Sequence, residues 1–312
     1  MKLLIELPTW LGDTVMATPA IDNLIGHYNE PKITLIGSSI STEILKNHPY
    51  VVKTYILNRN YKELYKTANE LSYFDVFISF RSSIRSRFMK FFVSSEKKYQ
   101  FFHNNYQNHH QVEKYNDFIN DSLNTNYLAG RLNFHWKSSF TYKHLTLGIN
   151  PGSSFGSAKR WYPKEFAKVA INLSNQYDII IFGDSKETQI ANDIEKLLIE
   201  GGVKNYQNLS GNTSISELIN LISKLDLFIT CDSGPMHLAA TFQVPTVTIF
   251  GPTKDSETSQ WMNQNSVIVK KNLNCQPCMK RRCPLKHHQC MSMIKAEDVS
   301  NAIYNLDLKD EK

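Results

Sequence analysis

Two doubly wound α/β domains in tandem, 1–144 and 145–312, with a cleft between them, are predicted by three features of the sequence. Short apolar runs alternate with amphipathic stretches in two long series; periodicity weakens between 124 and 144, the expected interdomain region; and the strand-like runs are separated by segments long enough for right-handed crossovers. The chain has 312 residues, 41% hydrophobic and 21% charged, which suits two packed cores and excludes a disordered chain. The first apolar run is too short for a signal peptide and no run approaches a membrane span, so a cytoplasmic protein is expected.

In the first series, 2–7 reads as a buried strand, 8–13 as a loop and 14–28 as an amphipathic helix, with Val15, Ala17, Ala20, Ile21, Leu24 and Ile25 near one face. Strands follow at 33–37 and 51–57, with helices from a Ser41 cap to 47 and over 61–71, and 75–80 opens the next pair. The stretch after it, 79–92, carries Arg81, Arg85, Arg87 and Lys90. Arg81 and Arg85 have the spacing of one helical face, which is either an ordinary solvated basic face or a site for an acidic acceptor. Residues 99–110 show no clear period, and 112–123 reads as a helix. The second series runs strand 145–150, helix 163–175, strand 179–183, helix 186–199, a short strand at 206–209, helix 214–224, and strands 227–231 and 246–251.

Three stretches carry chemistry. In LFITCDSGPMHLAA (227–240) a strand feeds a helix through a tight turn, so unbonded N–H groups and the positive end of the helix dipole meet at a strand's carboxyl end. Asp232 and Ser233 there either cap the helix or belong to an anion site. PGSSFGSAKRW (151–161) contains neither G-x-G-x-x-G nor G-x-x-x-x-G-K-[ST], which counts against a dinucleotide oxidoreductase and a P-loop NTPase. It offers instead the hydroxyls of Ser153 and Ser154 and the cations Lys159 and Arg160, groups that can stabilise a departing diphosphate. Asp13 follows a glycine at a strand's end and is either a helix cap or a general base.

The chain has five cysteines, four of them crowded into 275–290, unlike a secreted disulfide framework. With His287 and His288 they supply enough soft ligands for a structural zinc, but the spacing lacks two paired knuckles, and reduced thiols in a loop are the expectation. The formal charge of +6 suits an anionic partner without identifying it.

LPTWLGDTVMATPAIDNL, NPGSSFGSAKRWYPKEFAKVA and LDLFITCDSGPMHLAATFQVPTVTIFGPT together resemble glycosyltransferase family 9, the heptosyltransferases of lipopolysaccharide core synthesis. AKRW and the late CxPC…CP…C region most resemble the members that add a heptose to the first heptose of the inner core. The resemblance implies a GT-B fold, an ADP-heptose donor, a Kdo-lipid A inner-core acceptor at the cytoplasmic face of the membrane, and inversion without a required metal or other cofactor; a nucleic-acid partner is not expected. It implies Asp13 as base, Lys159 on the donor phosphates with Ser153, Ser154 and Arg160 nearby, and Asp232, Ser233, Gly234 and His237 as the D-[ST]-G-x-x-H donor segment. Glu187, or Asp184 if the alignment slips, matches the acidic residue that binds the donor ribose, and Arg81 and Arg85 are left for the acceptor. Pro235 lacks an N–H, but at a first helical turn that donor has no intrahelical partner to lose. Two rival readings remain: another nucleotide-sugar transferase of the same architecture, and a nucleotide-sugar-binding protein without catalysis.

Overall fold

The computed structural model describes residues 1–138 and 140–308; residue 139 of the expected interdomain region and residues 309–312 of the expected second domain lie outside the described residues. The chain divides into two compact units, Met1–Lys137 and Ser138–Lys312, so the division comes ahead of the 144/145 junction read from the sequence. The side chains show why. Asn133 donates its N–H to Thr18 Oγ1 (3.0 Å) and Asn23 Nδ2 donates to the Leu128 carbonyl (2.9 Å), which fastens the irregular segment to the first unit. Tyr142 instead donates its hydroxyl to the Leu221 carbonyl in the second unit (3.2 Å).

The first unit is built on five parallel strands: β1 (Lys2–Glu6), β2 (Lys32–Gly37), β3 (Val51–Ile56), β4 (Phe74–Ser79) and β5 (Ser95–Gln100), in the order β3-β2-β1-β4-β5. β1 and β4 are apolar runs buried on both faces, as central strands of a parallel sheet must be, with Leu3, Leu4, Ile5, Phe77 and Ile78 inaccessible. The strand order reverses between β1 and β4, so the loops after these two strands flank the crevice where open α/β sheets bind ligands.

Three local expectations are corrected. The helix expected over 14–28 is two helices, Leu11–Met16 and Thr18–Tyr28, hinged at Ala17. Pro19 has no N–H for the Val15 carbonyl, and the Thr18 hydroxyl takes that acceptor instead at 2.8 Å. The cap of the next helix, Ser39–Leu45, is Ser38, whose hydroxyl accepts from the Ser41 N–H at 3.1 Å; Ser41 is inside the helix. β5 was not anticipated, because SEKKYQ is a charged edge strand with no apolar alternation.

The second unit carries β6 (Thr146–Asn150), β7 (Asp178–Ile181), β8 (Tyr206–Asn208), β9 (Leu227–Cys231), β10 (Thr246–Ile249) and β11 (Ser266–Val269), all parallel, in the order β11-β10-β9-β6-β7-β8. β6 and β9 are buried along their whole length and form the reversal point of this sheet, with Asn150 opposite Thr230 at its carboxyl end. Trp161 fixes the loop after β6. Its ring is 1% exposed, its Nε1–H donates to the Ile294 carbonyl (2.9 Å), and its backbone N–H donates to Cys231 Sγ (3.3 Å). β11, a partly exposed edge strand, was also not anticipated.

Candidate functional site

At the carboxyl end of β9 the backbone turns at Asp232 and Ser233 into the helix Gly234–Thr241. Neither polar side chain caps it. Ser233 holds the N-cap position by backbone, but the side chain makes no cap bond; its hydroxyl accepts from Asn150 Nδ2 at 3.0 Å and meets Thr230 Oγ1 at 3.2 Å. The Asp232 carboxylate is 2.5 Å from Lys159 Nζ and accepts a 2.6 Å bond from the Thr253 hydroxyl. The capping reading of D-S-G-P is thereby replaced: its side chains knit together the ends of β6, β9 and β10, and the first turn of the helix is left uncapped by them. His237 is buried on the same helix.

The loop after β6 delivers the cation. Ser157–Lys159 forms one 3-10 turn, and Trp161 anchors it from below. Lys159 Nζ also lies 4.7 Å from the Phe155 ring centroid, so the ammonium is held between a carboxylate and an aromatic face. Gly156, at φ 152°, occupies backbone space that favours glycine, and a Cβ there would stand 2.3 Å from the Arg281 carbonyl oxygen. Ser153 donates to the Asp232 carbonyl (3.5 Å) and Ser154 to Asp184 Oδ2 (3.4 Å).

Past β7, Glu187 is 6% exposed and Asp184 exposed. Glu187 Oε2 accepts from the Asp184 N–H at 3.1 Å, and Arg160 approaches Glu187 Oε1 at 3.9 Å. Burial raises the Glu187 carboxyl above its ordinary value, and the Asp184 N–H and Arg160 offset only part of this. Glu187 Oε1 and Arg160 Nε are buried polar atoms without a hydrogen-bond partner, a pair open to a polar ligand.

In the first unit Asp13 is half-buried in the first turn of Leu11–Met16, whose N-cap is Trp10. It is therefore neither in a loop before the helix nor at the N-cap position. Its charge reaches Tyr115, whose hydroxyl is pushed well above its usual value first by burial and then by the Asp13 carboxylate. At the ends of β1 and β4, Glu6 is 1% exposed; it accepts from Ser79 at 2.7 Å and from the Ser86 hydroxyl, and pairs with Arg81 Nη1 at 3.3 Å.

The sequence profile of glycosyltransferase family 9 (heptosyltransferase) matches residues 75–289. The chain is 43% identical to lipooligosaccharide heptosyltransferase 2 of Campylobacter jejuni, over 98% of both proteins. The chain belongs to glycosyltransferase family 9. It is a glycosyltransferase with the two Rossmann-like α/β units of the GT-B class. Its fold is similar to Escherichia coli ADP-heptose lps heptosyltransferase II (TM-score 0.78, 18% identity, 97% of this chain and 99% of that one). It is also similar to E. coli heptosyltransferase WaaC with ADP-2-deoxy-2-fluoro heptose (TM-score 0.76, 15% identity, the same coverages).

Of the residues singled out from the sequence of this family 9 chain, Ser153, Ser154, Lys159, Arg160, Glu187, Asp232 and Ser233 lie on loops and turns after strands of the second sheet, and Gly234 and His237 on the helix that follows β9. Arg81 and Arg85 do not share a helical face, because the helix begins only at Ile84; Arg81 sits in the loop before it, committed to Glu6. Sequence reasoning missed Asn150, Thr253, Phe155 and Glu6. The first two have a readable signal, since each closes or follows an apolar run whose carboxyl end faces the crevice. Glu6 reads as the end of a strand and nothing in its neighbours points to the serines that hold it.

Proposed function

We propose that the chain transfers heptose from ADP-heptose to the inner core of lipopolysaccharide or lipooligosaccharide, onto the first heptose, with inversion. The observation that carries the substrate assignment is the 43% identity, over nearly the whole of both chains, to a lipooligosaccharide heptosyltransferase 2. The donor is supported by the similar fold solved with ADP-2-deoxy-2-fluoro heptose and by the cation, hydroxyls and helix start gathered in the second unit.

In the proposed reaction Asp13 accepts the proton of the acceptor hydroxyl as that oxygen bonds to the anomeric carbon. The bond from that carbon to the β-phosphate oxygen breaks on the opposite face, and ADP leaves with the electron pair. One displacement inverts the centre. Lys159 meets the growing negative charge, with Ser153, Ser154, Arg160 and the helix start at Gly234 as further donors, so the displacement itself needs no metal. His237, on the same helix, lines the donor side. Asp232 holds Lys159 before the donor arrives, and Glu187 or Asp184 takes the ribose hydroxyls. Arg85, close enough to Glu6 to affect its charge, addresses the acidic acceptor, while Arg81 is held by Glu6.

The acceptor lies in a membrane, and we place the enzyme at its cytoplasmic face. Among the described residues no helix is long and apolar enough to cross a membrane. The helix Ile84–Phe92 exposes Ile84 (74%) and Phe91 (77%) together with Arg87, a combination suited to an anionic lipid surface. Incubation with ADP-heptose and acceptors carrying no heptose or one, followed by mass spectrometry, tests the assignment. One added heptose on the singly heptosylated acceptor, with ADP released, is expected. Transfer only to the heptose-free acceptor, or only from another nucleotide sugar, would overturn it.

A further inference from the structure

The segment from β11 to the helix Gln289–Ser292 has almost no regular structure, yet it grips the donor loop. Ala158 donates its N–H to the Arg281 carbonyl (3.1 Å), the Met279 N–H reaches the Pro252 carbonyl (2.9 Å), Gln276 Nε2 reaches the Gly251 carbonyl (2.6 Å), and the Arg281 guanidinium lies 5.5 Å from the Phe155 ring. A long irregular stretch that buries little apolar surface needs some other constraint to hold such a geometry.

The candidate constraint is in its cysteines. Cys275, Cys278, Cys283 and Cys290 are all unbridged and line one small cavity against Ala158 and Pro252. The fifth cysteine, Cys231, is elsewhere, buried beneath Trp161.

The adjacent histidines are occupied. His288 Nε2 is 2.9 Å from the Ala158 carbonyl, which can only accept, so Nε2 carries the proton and Nδ1 accepts from the Tyr162 hydroxyl at 3.1 Å. His287 Nδ1 likewise accepts, from the Gln289 N–H at 3.0 Å. The ligand set is therefore sulfur alone.

We propose that Cys275, Cys278, Cys283 and Cys290 form a tetrathiolate site for one zinc or iron ion that clamps the 271–290 segment onto the donor loop. Four thiolates in tetrahedral array select these metals. Each thiol gives up its proton on binding, and the resulting negative charge is offset by Lys280, Arg281, Arg282 and Lys286, which are interleaved with the cysteines.

Among the described residues only Asp22, His48 and His135 bring three ligand atoms within 4.8 Å of one another; no three of the cysteine sulfurs do, so the proposed site requires them to draw in around the ion. The histidine group is the weaker candidate, since His48 Nδ1 accepts from the Tyr50 N–H (3.3 Å) and the proton then sits on Nε2, the atom facing Asp22.

The test is elemental analysis of the whole chain, purified without a histidine tag and without chelator. About one zinc or iron per chain is expected, with visible thiolate-to-iron absorption distinguishing iron from colourless zinc. A mercurial reagent should release the ion as the thiols react. Cys278→Ser should abolish stoichiometric metal, whereas Cys231→Ala should retain it. If the serine variant does not fold, the wild-type measurements decide. Folded protein that stays metal-free after exposure to zinc or ferrous ion under reducing conditions, metal retained by folded Cys278→Ser, or an intact mass showing disulfides among these cysteines would each overturn the proposal. The clamp on the donor loop rests on the donor reading above: chelation should also raise the KM for ADP-heptose several-fold, and an unchanged KM with metal present would remove the link to the donor while leaving the metal site standing.

Discussion

Lys159 Nζ stands 2.5 Å from Asp232 Oδ2, joining the loop after β6 to the turn after β9 at the reversal point of the second sheet. Both side chains are nearly buried, 11% and 4% exposed, so neither charge is well solvated without the other. Lys159→Ala should therefore destabilise the substrate-free protein by about 3 kcal/mol or more and lower kcat/KM by about 100-fold or more. Lys159→Ala with Asp232→Ala should recover much of the melting temperature and none of the activity. Recovery of activity in the double variant would mean that the pair is structural only.

Gly152 gives a second, steric prediction. A Cβ at this position would fall 2.0 Å from Glu187 Oε2, and the Glu187 carboxylate is buried and already bonded to the Asp184 N–H. Gly152→Ala must displace it, at a cost of about 1–3 kcal/mol, and should raise the donor KM more than it lowers kcat. Thermal melts and steady-state kinetics on the same variant check both effects.

Glu6 makes a prediction about pH. Burial raises its carboxyl above the ordinary 4.5, and Arg81, Ser86 and Ser79 do not fully compensate. The folded chain then holds this proton more tightly than the unfolded chain, so the group's contribution to stability is present below the unfolded value and is lost as pH rises through the folded one. Glu6→Gln removes that loss. Its melting temperature relative to wild type should climb as pH rises above 4.5; a flat or falling difference would contradict the assignment.

Arg81 and Arg85 should separate. Arg81→Ala strips the buried Glu6 carboxylate of its cation and should cost about 2–4 kcal/mol of stability. Arg85→Glu should leave folding largely intact and raise the acceptor KM. An acceptor KM unaltered by Arg85→Glu returns this residue to an ordinary solvated face.

Much of the fold was legible because its central strands are continuous apolar runs, each closed by a polar or glycine-rich turn. β5 and β11 were not, since edge strands bury too little to be written in hydrophobic residues. The residues of the candidate site were legible as candidates but not as partners. D-S-G-P reads locally as a cap, and only the fold brings Lys159, Thr253 and Asn150 to its side chains. The Ala17 break was in principle readable from Pro19, one residue into the second helix. The spacing of Arg81 and Arg85 misled because it presumes a helix, while Ser83 caps that helix only after Arg81 has been placed.

The central claim is a division of labour, with the donor held by the second unit and the acceptor proton taken by Asp13 of the first. It is tested most directly by Asp13→Asn, with ADP-heptose binding measured by calorimetry and heptose transfer measured on the singly heptosylated acceptor. Donor affinity should stay within about twofold while turnover falls by about 100- to 10,000-fold. Turnover near that of the wild type, at unchanged donor affinity, would remove Asp13 from the chemistry and contradict the account.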